Sequence, residues 1–249
     1  QKRVAKDPKA IPDKWGKRPS DRTIGELLQA GVIALDKPSG PTSHQATAWV
    51  KGAIHMDKVG HGGTLDPYVS GVLPICTGKA VRLTDIVLSS DKEYICLMRL
   101  HADRSEKKIR EVMDRFRGKI YQLPPVRSAV KRQLRIRTIK ELEILDIRGR
   151  DVLFRISCDA GTYVRTLCID IGEMLLCGAS MTELRRSRSG KMTEKNAATL
   201  QDLTDAYIFW QQEGHGEWLR SLIRPMECLV DPLPKIIVKA TAVDAVCHG

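Results

Sequence analysis

GHGGTLDPYVSGVLPICTGKA, residues 60–80, packs five glycines and two prolines into its first nineteen positions. Glycines reach φ > 0 and let another backbone approach closely, so such a stretch is a loop shaped to receive something. Its ionisable side chains are His61 and Asp66, with Lys79 just past the last glycine. A phosphate-cradling loop would need G-x-x-x-x-G-K-[ST]. Here Gly78-Lys79 is followed by Ala80, so that reading fails. A metal site drawn from His44, His55, His61 and Asp66 would lack an i, i+4 pair and a second nearby carboxylate, so no metal is expected. Taken by itself, Asp66 capping backbone N–H groups in a tight turn is the simpler account.

Upstream, Val32 to Leu35 reads as a short apolar strand that breaks at the turn-rich run 36–41. Ser43 is the expected cap of a helix whose Ala46, Trp49, Val50 and Ala53 recur at one-face spacing. Downstream, Glu93 to Leu100 predicts a strand. Ser105 caps a helix with the stripe Ile109, Val112, Met113 and Phe116, ended by Gly118. Leu134, Ile136 and Ile139 interleave with Arg135, Arg137 and Lys140. The extended run continues to Leu145, and Asp151 to Cys158 forms a strand antiparallel to it through the turn Arg148-Gly149-Arg150. After Gly161-Thr162 the pattern becomes helical, with Val164, Leu167, Cys168, Ile171 and Leu175 on one face. This interleaving predicts an α+β fold, a mixed and largely antiparallel sheet flanked by helices.

The ends differ from the body. Residues 1–22 form a basic arm dotted with prolines, in which Trp15 is the one aromatic. Asp231-Pro232-Leu233-Pro234 reads as a linker, and 235–249 as the first strand and turn of a further domain. No apolar run approaches the ~18 residues a membrane span needs, and the N-terminus has no apolar signal region. A net charge of +11 favours polyanionic partners, because each Lys or Arg on a phosphate releases a condensed counterion. The seven cysteines make no C-x-x-C pair and read as buried free thiols of a reducing compartment.

The stretch 60–80 resembles the long catalytic motif of the TruB and dyskerin family of pseudouridine synthases. Four further segments resemble that family in its order: Asp36 to His44, Lys92-Glu93-Tyr94, Gly161 to Leu167, and Leu184 to Gly190. Pro124 to Arg137, with the basic arm, is similar to the guide-dependent branch, whose archaeal members are catalytic subunits of H/ACA ribonucleoproteins. The resemblance covers roughly residues 20–249 and implies the pseudouridine synthase fold over 23–232. It also implies that 233–249 opens a PUA domain, incomplete here, which in the family binds the guide RNA's ACA end.

By that resemblance Asp66 is the carboxylate acting at the sugar, either bonding to C1′ or removing a sugar proton. Arg165 pairs with it through a two-pronged guanidinium fork, offsetting the effect of burial. Tyr94 stacks on the target base and offers its hydroxyl for transfer of the C5 proton. His61 shapes the RNA pocket, and Leu184 closes the base pocket's apolar side. Lys131, Arg132 and Arg135 belong to a stretch with no acid between Arg127 and Lys140; a solvated strand face accounts for it in a generic protein, a grip on RNA backbone in a synthase. No cofactor is needed. The implied partners are H/ACA guide RNA and substrate RNA, a small zinc-ribbon-bearing H/ACA protein, a second H/ACA protein on the catalytic domain, and a kink-turn-binding protein attached through RNA. No membrane is involved, and an archaeal cytoplasm is the implied compartment. Rival functions are a non-catalytic RNA-binding scaffold and a stand-alone tRNA synthase. A scaffold would be free to lose Asp66, Tyr94 and Arg165, and all three are present.

Overall fold

A computed structural model describes residues 17–124, 132–236 and 238–248. Within them, strands β1 (Gly31–Lys37), β2 (Val59–His61), β3 (Ser70–Thr77), β4 (Lys92–Leu100) and β5 (Gly118–Gln122) precede β6 (Arg135–Arg148), β7 (Asp151–Cys158), β8 (Ala179–Ser189), β9 (Met192–Thr193) and β10 (Ile223–Pro225). The helices are α1 (Ile24–Leu28), α2 (Ser43–Ala53), α3 (Thr84–Ser89), α4 (Glu106–Asp114), α5 (Val164–Met174), α6 (Leu200–Glu213), α7 (Glu217–Leu222), α8 (Glu227–Val230) and α9 (Val243–His248). The strands form one sheet in the order β10-β1-β3-β8-β4-β7-β6-β5, with β2 on β3 and β9 on β8. Every pairing is antiparallel except β3 with β8, which is parallel over two rungs, Ser70↔Arg185 and Gly71↔Arg186. The expected mixed, largely antiparallel sheet flanked by helices is therefore the observed one.

Two cores lie along this sheet. In one, α4 and α5 cover β4, β6 and β7 through Ile109, Leu167, Phe154 and their neighbours. In the other, α1, α2, α6 and α7 cover β1 and β3. A third, smaller cluster fills the opposite face of β1 and β3, so Val32 and Ala34 are buried on one side while Ile33 and Leu35 are buried on the other. That is why β1 reads as an unbroken apolar run. Tyr94 and Leu184 pack against both main cores and mark the seam between them.

Several local expectations are corrected. The cap of α2 is Thr42, in a capping box with Gln45, and Ser43 is the first helical residue. Trp49 is 48% exposed; three residues on from Ala46, it falls about 60° off the buried stripe. The helix α4 ends at Asp114, before Phe116, which is nonetheless buried. On β6 the inward face carries Arg135, Arg137 and Ile139, while Leu134 and Ile136 face solvent. Period two puts all odd positions together, so the arginines and not the leucine share the face of buried Ile139. The expected strand after residue 235 is absent among the described residues, and Ala240–Ala242 and α9 stand there as short helices. An alanine-rich run favours helix, and an isolated strand has no edge to pair with. Arg22, from the end of the basic arm, is docked and not extended, paired with Glu227. Trp15 and Lys131 lie outside the described residues. Cys76, Cys96, Cys158 and Cys168 are buried, whereas Cys247 is exposed. No helix among the described residues is long and apolar enough to cross a membrane.

The parallel contact of β3 with β8 demands a glycine. Gly71 has φ +102, and a Cβ there would lie 2.2 Å from the backbone oxygen of Arg186. Gly71→Ala should cost more than about 2 kcal/mol, since both strain and overlap are imposed at a buried rung. Gly25→Ala in α1, with open space around it, should be neutral or stabilise by about 0.5–1 kcal/mol. Urea unfolding of both variants checks this, and equal midpoints would contradict it.

Candidate active site

The centre of the site is a lateral row across four strands. Lys37 on β1 pairs with Gly71 on β3, Gly71 with Arg186 on β8, and Arg186 with Tyr94 on β4. Residues directly opposite one another project from the same face, so Lys37, Arg186 and Tyr94 share it, and Gly71 leaves the space between them. The row depends on a register shift: Glu93 pairs with Arg188, but Tyr94 pairs with Arg186, which makes Ser187 the extra residue of a bulge. Its hydroxyl donates to Glu93 Oε1 at 2.7 Å. Without the bulge Ser187 would face Tyr94, and the arginine would be turned away.

Arg186 is buried, and its guanidinium donates to the carbonyls of Val72 (2.8 Å) and Gly63 (3.1 Å). It thereby ties the middle of β8 to the glycine loop. Burial pulls its pKa below the usual arginine value, and Tyr94 opposes that. Lys37, also buried, donates to the carbonyls of Pro38, Pro41 and Pro67. Lys92 donates to the Val87 carbonyl at 2.8 Å and to Ser90; burial, then the Arg186 charge, brings its pKa down to about 8. Three buried cations thus surround the loop 62–69, with nearly all their hydrogen bonds aimed at carbonyls. Burying charge without a carboxylate costs several kcal/mol per ion before hydrogen bonds offset it, so this arrangement serves the site and not stability.

Asp66 sits on the loop's rim, its carboxylate 56% exposed, in an ion pair with Arg165 of α5. The pair joins Nη2 to Oδ2 and is not the two-pronged fork expected. Because both side chains meet solvent, the burial that was to act on Asp66 is also absent. Exposed pairs contribute about 0–1 kcal/mol, so the contact orients the carboxylate more than it stabilises the fold. Two side chains pin the backbone on either side of it. Ser43 Oγ donates to the Leu65 carbonyl (3.0 Å) and accepts from the Leu65 N–H (2.8 Å), one residue before Asp66. Gln122, buried at the end of β5, accepts from the Tyr163 N–H (2.9 Å) and donates to the Tyr163 carbonyl (3.0 Å), two residues before Arg165.

Tyr94 lies at the seam of the two cores; burial raises its hydroxyl above the ordinary phenol pKa, and the Arg186 guanidinium holds it back. Leu184, two residues before Arg186 on β8, packs on the same two cores. His61 is half-buried, edge-on to His44 at 4.9 Å between ring centroids, and its Nδ1 finds no hydrogen-bond partner among the described residues. Burial, then His44 and Arg186, depress its pKa. Arg135 pairs across the β5–β6 hairpin with Gln122, and Arg137 lies against Gly161, so this edge of the sheet borders the segment leading to Arg165. Arg132 is exposed beyond the strand end. Lys37, Ser43, Gln122 and Arg186 escaped the sequence reading as site residues. Lys37, Ser43 and Arg186 stand inside quoted motifs, whereas nothing marked Gln122.

Three family models match the chain: TruB family pseudouridylate synthase (N terminal domain) over 51–164, tRNA pseudouridylate synthase B C-terminal domain over 165–231, and DKCLD (NUC011) domain over 1–47. The probable tRNA pseudouridine synthase B of Methanothermobacter thermautotrophicus is 53% identical over 235 residues, 94% of this chain and 72% of that protein. A crystal structure of a Cbf5-Nop10-Gar1 complex matches with TM-score 0.92 and 52% identity, covering 98% of this chain and 75% of the matched one. An H/ACA RNP bound to a substrate RNA containing 2'-deoxyuridine matches with TM-score 0.89 and 48% identity, covering 99% and 75%.

The depressed pKa of His61 fixes a sign for stability against pH. Between its folded value and the unfolded value near 6.5, the unfolded chain binds a proton the folded one refuses, so acidification favours unfolding. From about pH 7.5 to about pH 5, wild type should lose more stability than His61→Gln, which cannot take up that proton. Chemical denaturation across that range measures the difference, and parallel curves would contradict it.

Proposed function

Because this chain belongs to the TruB family of pseudouridine synthases, we propose that it isomerises uridine to pseudouridine in RNA as the catalytic subunit of an H/ACA guide ribonucleoprotein. The likeness to chains of a Cbf5-Nop10-Gar1 complex and of an H/ACA RNP bound to a substrate RNA supports guide-dependent action over a stand-alone tRNA enzyme. Its partners are then guide and substrate RNA, a small zinc-ribbon-bearing H/ACA protein, a second H/ACA protein on the catalytic domain, and a kink-turn-binding protein attached through RNA; the matched complex holds two further proteins, Nop10 and Gar1. The working unit is the catalytic domain 23–232, with 1–22 a basic arm and 233–249 the opening of a PUA domain, in an archaeal cytoplasm.

The reaction breaks the N1–C1′ bond, turns the base and joins C5 to C1′. Asp66 is the carboxylate at the sugar, acting by bonding to C1′ or by removing a sugar proton. Arg165 holds it in place. Tyr94 stacks on the base, and its hydroxyl passes on the C5 proton once C5 is bonded. Its raised pKa keeps the phenol protonated at rest, so it accepts that proton only as it yields its own to water, from which the freed N1 takes one up; the Arg186 charge favours that loss. Leu184 closes the apolar side of the base pocket, and His61 shapes its polar side. Arg132 and Arg135, with Lys131, grip the RNA backbone. The target uridine must leave its stack to reach Asp66, at a cost of a few kcal/mol. The observation that carries this assignment is the Asp66–Arg165 pair, at the rim of a loop that Arg186 connects to Tyr94.

Conversion of a radiolabelled uridine substrate with and without guide RNA tests the activity. Asp66→Asn keeps size and polarity but removes the charge, and should abolish conversion while RNA binding persists; turnover above about a hundredth of wild type would overturn the role. Tyr94→Phe keeps the ring, so it should bind RNA normally and release little finished product. Single-turnover rates within about threefold of wild type would leave the hydroxyl no part in proton transfer.

A further inference from the structure

Tyr68 is the most exposed aromatic side chain among the described residues, at 84% of full exposure. It joins none of the hydrophobic clusters. A solvated tyrosine is unremarked on a loose loop, but this one stands on a fixed mount. The Val69 N–H donates to the Asp66 carbonyl at 2.9 Å, closing a four-residue turn with Pro67 and Tyr68 at its corners. The Pro67 carbonyl accepts from the Gly40 N–H (2.8 Å) and from Lys37 Nζ (3.1 Å). Ser39 Oγ donates to the carbonyl of Tyr68 itself at 3.2 Å, and Val69 is anchored in the core.

The first residue of that turn is Asp66. Two residues span at most about 7 Å of chain, so the ring projects from backbone beside the carboxylate. A uridine delivered to Asp66 has left the stack, which exposes a face of each neighbouring base. An aromatic ring on a rigid turn can replace the lost stacking with little entropy to lose, having only two side-chain torsions. We propose that Tyr68 stacks on a base flanking the target uridine and holds the RNA strand where the uridine meets Asp66. This rests on the proposed synthase activity.

The test uses the chain assembled with guide RNA and a guide-paired substrate carrying a labelled target uridine, intact or abasic at each flanking position in turn. Tyr68→Ala should weaken binding of intact RNA about five- to hundredfold, and Tyr68→Phe, which keeps the ring, should stay within about twofold of wild type. With one of the abasic substrates, the penalty of Tyr68→Ala should shrink to within about twofold, the mark of a direct contact in a double-mutant cycle. Equal penalties on intact and abasic RNA, as a contact with a protein partner would give, would overturn the proposal, as would equal losses in the Phe and Ala variants. Single-turnover conversion by wild type reports the activity separately. Coupling without conversion would leave the stacking and remove the activity, and conversion without coupling would do the reverse.

Discussion

The buried guanidinium of Arg186 is the interaction on which the rest of the site depends. It lies at the parallel contact of β3 with β8, donates to the carbonyl of Gly63 in the glycine loop and to that of Val72 on β3, and stands opposite Tyr94. Its place requires three things at once: a bulge at Ser187 to aim it, Gly71 to let β3 close on β8, and a loop whose carbonyls turn inward. Remove any of these and a buried charge loses its hydrogen bonds, which is the costliest defect an interior can carry. The bulge at Ser187 and the glycine at 71 are thereby tied to the placement of this one side chain.

A second theme is the division between a rigid frame and a solvent-facing ion pair. Lys37 and Ser43 hold the glycine loop from the β1–α2 side, and Gln122 holds the approach to α5 from the far edge of the sheet. Asp66 and Arg165 are then left half exposed on pinned backbone. A weak surface ion pair suffices there, because the orientation is set by neighbours that are buried. A carboxylate held this way is open to solvent without being free to wander.

Electrostatics at long range and at short range agree. The chain carries a net charge of +11, which draws a polyanion to it, and Lys37, Lys92 and Arg186 concentrate positive charge beneath the loop that would receive it. Buried charges are screened by salt far less than surface ones. Binding of RNA is then expected to follow ionic strength through the exposed arginines, while the field around the loop stays nearly constant.

By itself the sequence determined the types of the elements with a clear local periodicity, the helix α4 capped by Ser105, the helix α5, the antiparallel β6–β7 hairpin through Gly149, and the family, because each of these is written in contiguous residues whose periodicity or motif is local. It also picked out Asp66, Tyr94 and Arg165, and the structure brings Asp66 and Arg165 into contact across 99 positions of chain. The tertiary structure alone decided that Arg186 and Lys37 are buried, that Gln122 serves the Arg165 segment, and that Arg135 and Arg137 take the inward face of β6. Those facts depend on register, on a single bulge, and on which strands meet. A cation destined for burial looks the same in sequence as one bound for solvent until the fold supplies the carbonyls that surround it.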